Sequence, residues 1–385
     1  MRERVAEMAE LIIEEKTVES VSDFMNCIHE DVFRKEHLLF AAGIKKYLTF
    51  LSNYVNVELI KEYCRSVAQK MMDYVHHRSM DEGFVNSFGK KLDEILNKKW
   101  CNNSVDEIAS FFQRLISTDA QLNDIKKDFS DSDMLKVPGI VDVVFRGHGN
   151  SEWSLLPSIF RDPERLKKYE REIYHEMIMR APDTFQEKDV FGNLVLMQHY
   201  SCPTRLLDVT FNPLVALYFA CQKEEEKGVQ KDGKLLVFVN VRCDFWNETS
   251  IQAQSKLALL DYGRKIEFWK DVFSGASLKK YEDVFTLEEL DPIHFLAPLW
   301  AKTKNYAPRI ERQSGAFTTV PEIGIKKDKD GRWISPLDFF CCKSYRIPES
   351  YKTDILKELN MMNINETSLF DGLEHVGKYL QTMYE

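Results

Sequence analysis

Between Val141 and Cys221 the chain sets three elements in a fixed order, and few folds can accommodate them together. Ile140 to Phe145 is a β-branched run between Pro138-Gly139 and Gly147, so it predicts a buried strand that ends on Arg146. Val190 to about His199 predicts a helix, which Pro203 cannot continue. Asn212-Pro213 then places Asn at an N-cap and Pro at the first helical position of a run that is apolar nearly all round as far as Cys221. A helix with no polar face must be covered on every side, so it belongs at the centre of the molecule. Leu235 to Val241, after the turn Lys231-Asp232-Gly233-Lys234, is an apolar run too continuous for a surface edge. These elements predict an α+β fold with that helix near its centre.

The region before them has a different rhythm. Val5, Met8, Leu11 and Ile12 recur at helical spacing, as do Val21, Phe24, Met25 and Ile28, and the pattern continues to Ile95-Leu96. Proline is absent from the first 137 residues, which lets long helices run unbroken. Asn102-Asn103-Ser104 interrupts the pattern, and Ser104 with Glu107 forms a capping box for a new helix. A length of 385 residues suits two domains. The expected division is an all-helical N-terminal domain over 1–100, a platform for a regulatory protein partner, and a second domain over 101–385. Within the latter, 121–138 reads as a polar loop, Asp330-Gly331 as a hairpin turn before Trp333-Ile334, Phe339 to Ile347 as a strand, and 350–380 as helical.

Composition excludes several classes. No apolar run reaches the eighteen or so residues of a membrane span, and Met1-Arg2-Glu3-Arg4 opens no secretory signal, so the expectation is a cytoplasmic protein with no membrane partner. The eight cysteines form no C-x-x-C pair and read as reduced thiols. A net charge of −9 argues against passive nucleic-acid binding. There is no Walker loop, no G-x-S-x-G elbow and no H-E-x-x-H helix, and His76-His77 lacks a third metal ligand.

Three polar constellations invite a chemical reading. Arg146 ends a buried strand, where a guanidinium is costly unless its donors are occupied; an internal Arg146–Asp208 ion pair and a ligand phosphate or ribose both satisfy that condition. Gln198, His199, Thr204, Arg205 and Asp208 crowd eleven positions otherwise filled by apolar residues and turn formers, so they form either a closed hydrogen-bond network or a pocket wall. Glu311 and Gln313 are two apart and would share one face of a strand, either in a pocket or on a solvated edge.

Val143 to Gly149 with Trp153 to Ile159, Leu196 to Asp208 running into Asn212 to Ala220, and Asn305 to Thr318 resemble the FRG domain, named for Phe145-Arg146-Gly147 as they stand here. The resemblance runs from about Ser104 to the C-terminus. The Arg-Gly strand end is also similar to the opening strand of ADP-ribosyltransferases. What this likeness implies is an ADP-ribosyltransferase-like mixed-sheet FRG domain that uses NAD and modifies a macromolecule, protein or nucleic acid, as a bacterial toxin or phage-defence effector. It implies catalytic roles for Arg146, Glu311 and Gln313, and NAD contacts from Arg146, Gly147, His148, Gln198, His199, Tyr200, Thr204, Arg205 and Phe317. Tyr200 or Phe317 would stack on the nicotinamide. The chain departs from the family at His148, at Ser201-Cys202 and at Val209, and it has Gln313 where the transferases carry a glutamate. The other reading is a non-enzymatic nucleotide-sensing or protein-binding module. If a ligand is shared, Arg146, His199, Arg205 and Gln313 should converge on one cleft.

Overall fold

The computed structural model describes residues 15–384 apart from 34–35, 77–81, 102–103, 113–140, 162–165, 186–188, 227, 242 and 305. The helix expected from Val5 to Ile12, His77, Asn102-Asn103, the loop expected over 121–138, Ile140 and Asn305 lie outside the described residues.

An eight-stranded mixed sheet is the frame, in the order β1-β12-β6-β2-β3-β9-β8-β7. Its strands are β1 (Lys16–Thr17), β2 (Val141–His148), β3 (Leu206–Thr210), β6 (Gly233–Val241), β7 (Asp244–Phe245), β8 (Leu299–Lys302), β9 (Gly315–Thr319) and β12 (Cys341–Ile347). Neighbours run antiparallel except at the two edges, where β1 lies parallel to β12 and β7 parallel to β8. Two small hairpins stand apart from it: β4 (Glu225–Glu226) with β5 (Val229–Gln230), and β10 (Lys326–Lys327) with β11 (Trp333–Ile334). The second of these is the hairpin expected at Asp330-Gly331, and Gly331 has the positive φ of 80° that such a turn needs.

The helices of the first hundred residues are α1 (Val21–Ile28), α2 (Glu36–Leu51), α3 (Val57–His76) and α4 (Glu82–Leu96), followed by α5 over 104–112. Next come α6 (Ser158–Arg161), α7 (Glu170–Arg180), α8 (Pro182–Phe185), α9 (Val190–His199) and α10 (Pro213–Ala220). The remainder are α11 (Thr249–Lys256), α12 (Tyr262–Ser274), α13 (Pro308–Arg312), α14 (Leu337–Phe340), α15 (Glu349–Met361), α16 (Glu366–Leu369) and α17 (Leu373–Tyr384). Among the described residues none of these is long and apolar enough to cross a membrane.

The apolar helix α10 begins as its sequence requires, with Asn212 Oδ1 accepting from the Leu214 amide and Pro213 at the first position. It presses onto the sheet so closely that side chains are excluded from the contact. A Cβ on Gly147 of β2 would stand 2.0 Å from the Ala216 carbonyl oxygen, and one on Gly233 of β6 2.0 Å from that of Ala220. These two glycines let the helix backbone lie directly on neighbouring strands.

Residues 15–100 are not wholly helical, because β1 extends the sheet through Lys16↔Tyr345 and Thr17↔Arg346. The core also passes across the boundary drawn at residue 100. Phe50 stacks on Phe339 at 4.3 Å, Tyr47 meets Phe340 at 4.4 Å, and the Tyr47 hydroxyl donates to the Leu296 carbonyl. Phe24 of α1 packs edge-on against Tyr345 of β12. The run expected as a strand from Phe339 is helical in α14 and extended only from Cys341. The helical tail is three pieces, turned at Asn363 (φ 60°) and at Gly372 (φ 99°).

Candidate functional site

The site begins at a split in the sheet. Strand β2 pairs with β6 at all eight of its positions, from Val141↔Val241 to His148↔Lys234, and β3 pairs with β9 at all five of its own. Between β2 and β3 the register holds one pair, Phe145↔Thr210. Past that point the strands part, and main-chain groups on the facing edges need other partners. Arg146 supplies one: its Nη1 donates to the Asp208 carbonyl oxygen across the gap at 2.5 Å. Its Nε donates to His148 Nε2 at 2.9 Å.

Neither acceptor is an anion. An imidazole nitrogen that accepts a hydrogen bond bears no proton, so His148 is the neutral tautomer protonated at Nδ1. Burial holds its pKa well below the ordinary value, and the charges of Arg146, Arg161 and Lys234 press it further down. The ion pair that the sequence allows between Arg146 and Asp208 is not formed, because the contact is with the main chain and the Asp208 carboxylate accepts from Gln198 Nε2 at 2.7 Å instead. Among the described residues no carboxylate makes a contact ion pair with Arg146. Desolvation lowers its pKa to about 10, with Asp208 opposing, and the guanidinium stays charged at neutral pH.

The parted strands open into a cleft of about 270 Å³. Arg146, Gly147, Gln198, His199, Gln313 and Phe317 line it, six of the residues expected there. Arg309, Asp208, Glu224 and Gln222 add polar groups, while Trp153 and Phe219 add aromatic faces. Thr204 is buried behind this wall; its hydroxyl donates to Gln198 Oε1 at 2.7 Å, so a relay from Thr204 through Gln198 fixes the Asp208 carboxylate. His148 lies beneath Arg146, 2% exposed, with Trp153 edge-on to its ring. Tyr200 is 55% exposed and is not part of the lining.

Two expectations fail for identifiable reasons. Arg205 is fully buried away from the cleft, where Nε and Nη2 reach Glu170 at 2.8 and 2.6 Å and Nη2 reaches Glu322 at 3.3 Å. Lys265 donates to the same Glu170, and Lys167 pairs with Glu322 at 2.7 Å. Arg205 therefore belongs to a closed ion cluster rather than to a ligand site. Glu311 and Gln313 are not on a strand: Pro308 starts the single helical turn α13 and Gln313 caps it. Residues two apart on a helix point to nearly opposite sides. Gln313 turns inward, donating through Nε2 to the Leu369 carbonyl at 3.1 Å, whereas Glu311 is exposed and outside the lining.

Sequence reasoning also passed over Glu224, Phe219 and Arg309 as wall residues. Arg309 had a signal, since it lies in the third family-like stretch, and its guanidinium covers the Phe370 ring at 4.7 Å. Glu224 follows the end of α10 in a polar turn, and nothing local marks it.

The fold and cleft define a class: an α+β protein with an arginine, free of any contact carboxylate among the described residues, at the split of a mixed sheet. Residues 141–228 match the family model of the FRG domain, so the chain carries that domain from β2 through the turn after β4. No curated protein and no solved structure matches the chain.

Proposed function

We propose that the cleft binds NAD and that the protein transfers the ADP-ribosyl group to a macromolecular acceptor. The observation that carries this reading is the Arg146 guanidinium, fixed by two neutral acceptors and so free to meet an anion with its full charge. Aromatic walls at Trp153, Phe219 and Phe317 suit a flat ring. A cavity of about 270 Å³ encloses one half of a dinucleotide, and the other half lies along the open rim. Cleavage at the nicotinamide ribose builds positive charge on the sugar, which a preorganised carboxylate stabilises. Asp208, held by Gln198, fills that role in place of Glu311. The ADP-ribosyltransferase-like character of the fold and a toxin or defence role belong to this same reading.

The second reading, a nucleotide sensor without catalysis, is favoured by the position of Glu311 outside the cleft. Nicotinamide release from NAD, with calorimetry on Arg146→Met and Asp208→Asn, separates the two. Release that both substitutions abolish supports the enzyme. Binding without release, lost in Arg146→Met, supports the sensor. Unchanged binding in Arg146→Met sinks both.

A further inference from the structure

Lys352 carries its charge into the interior, where Glu224, Asp232 and Glu349 act on it only through space. It projects from α15, is 2% exposed, and its Nζ donates to the Gly149 carbonyl at 2.6 Å and the Gln222 carbonyl at 2.9 Å. Among the described residues no carboxylate forms a contact pair with it. A buried ammonium with neutral acceptors alone is costly, so its position calls for an explanation.

Both acceptors belong to residues that line the cleft. Gly149 follows the last residue of β2, and Gln222 lies two residues beyond α10, so the two come from elements that the sheet ladder does not join there. They are nonetheless in close contact: a Cβ on Gly149 would stand 3.0 Å from the Gln222 carbonyl oxygen and 2.7 Å from Glu224 Cγ. Both carbonyl oxygens lie within hydrogen-bond reach of a single cation, at 2.6 and 2.9 Å from it, and so are tied to each other through it. Lys352 is that cation, and its stem passes beside Gly233, whose missing side chain leaves room for it.

We propose that Lys352 is a positioning residue of the cleft: it clamps Gly149 to Gln222 and so places Trp153 and Glu224, which follow them, on the rim. Its functional part rests on the nucleotide reading above. The clamp comes from outside the 141–228 match, so the working site extends beyond the FRG module into the C-terminal helices.

The test uses the full chain with Lys352→Met, which keeps the stem and drops the ammonium, and Ile355→Val, a fully buried control on the same helix. Hydrogen exchange at 149–153 and 222–224, melting temperature, and NAD affinity are measured for each. Lys352→Met should exchange faster in both segments and bind NAD about tenfold more weakly or worse, the effect of losing hydrogen bonds from a charged group. Ile355→Val should lower the melting temperature and leave the other two readouts in place. Unchanged exchange in both segments, or an equal loss of affinity in Ile355→Val, overturns the proposal. Should Lys352→Met not fold, Lys352→Gln, too short to span both carbonyls, takes its place with the same expectations. Wild-type protein that does not bind NAD overturns the nucleotide reading alone, and the exchange rates still decide the clamp.

Discussion

Replacing Glu170 with glutamine should cost this protein about 3 kcal/mol at neutral pH, and the figure follows from the ion cluster around Arg205. Burial pushes the Glu170 carboxyl toward the neutral form, yet Arg205 and Lys265 overcome this and bring its pKa from 4.5 down to about 2. At about 1.4 kcal/mol for each tenfold change in proton affinity, that preference is worth roughly 3 kcal/mol. Removing one member of a buried pair costs about 3 to 5 kcal/mol by a separate route, because the partners stay buried and lose their counter-charge. Here the stranded groups would be Arg205 and Lys265, at 0% and 2% exposure, with Glu322 the remaining carboxylate of the cluster. A group whose folded pKa is depressed stabilises the fold above its unfolded value and loses that contribution as pH falls. The contribution of Glu170 is therefore complete above about pH 4.5 and fades toward pH 2. Urea unfolding of wild type and Glu170→Gln at several pH values reads this directly, as a lower midpoint at pH 7 and a shallower acid limb in the variant. A variant within 1 kcal/mol of wild type, with the same acid limb, would refute the reasoning.

Three further outcomes are expected. Gly147→Ala should lose about 3 kcal/mol or more, since its methyl group meets helix backbone that cannot move aside; a melt within two degrees or so of wild type would count against the close contact. Arg146→Met should cost about 2 kcal/mol, less than Glu170→Gln, because it gives up two hydrogen bonds to neutral acceptors at the mouth of a cleft, each worth about 1 kcal/mol net, and strands no buried charge; a loss as large as that of Glu170→Gln would mark it as a fold residue. A chain begun at Cys101 uncovers Phe339, Phe340 and Tyr345, and should be insoluble or lack a cooperative transition; a soluble, two-state truncation would establish the first hundred residues as a separable unit.

Local signals carried the reading of the fold a long way. The strand ending at the Phe-Arg-Gly motif, the helix begun by Asn212-Pro213 and the hairpin at Gly331 all lie where turn chemistry and apolar period place them. Failures came where the deciding partner is distant in the chain. Arg205 looks like a pocket residue until Glu170, Lys265 and Glu322 arrive from 35, 60 and 117 positions away respectively, and no local pattern announces them.

 The charge on Arg205 called for a partner, and only the packed structure says which. Glu311 and Gln313 went wrong for a smaller reason: Pro308 starts a helical turn as readily as it precedes a strand, and one turn reverses which of the two faces inward.

The Phe-Arg-Gly signature divides its labour among three consecutive residues. Phe145 fills the core, Arg146 faces the cleft, and Gly147 admits the helix backbone. Two of the three letters therefore report on architecture, and one reports on chemistry. A chain that kept the phenylalanine and glycine but exchanged the arginine would retain the scaffold and lose the one cation that the signature places in the cleft, leaving Arg309, Asp208 and Glu224 around it. On the nucleotide reading proposed above, one codon silences such a protein, and the signature would still be two-thirds legible in the silent copy.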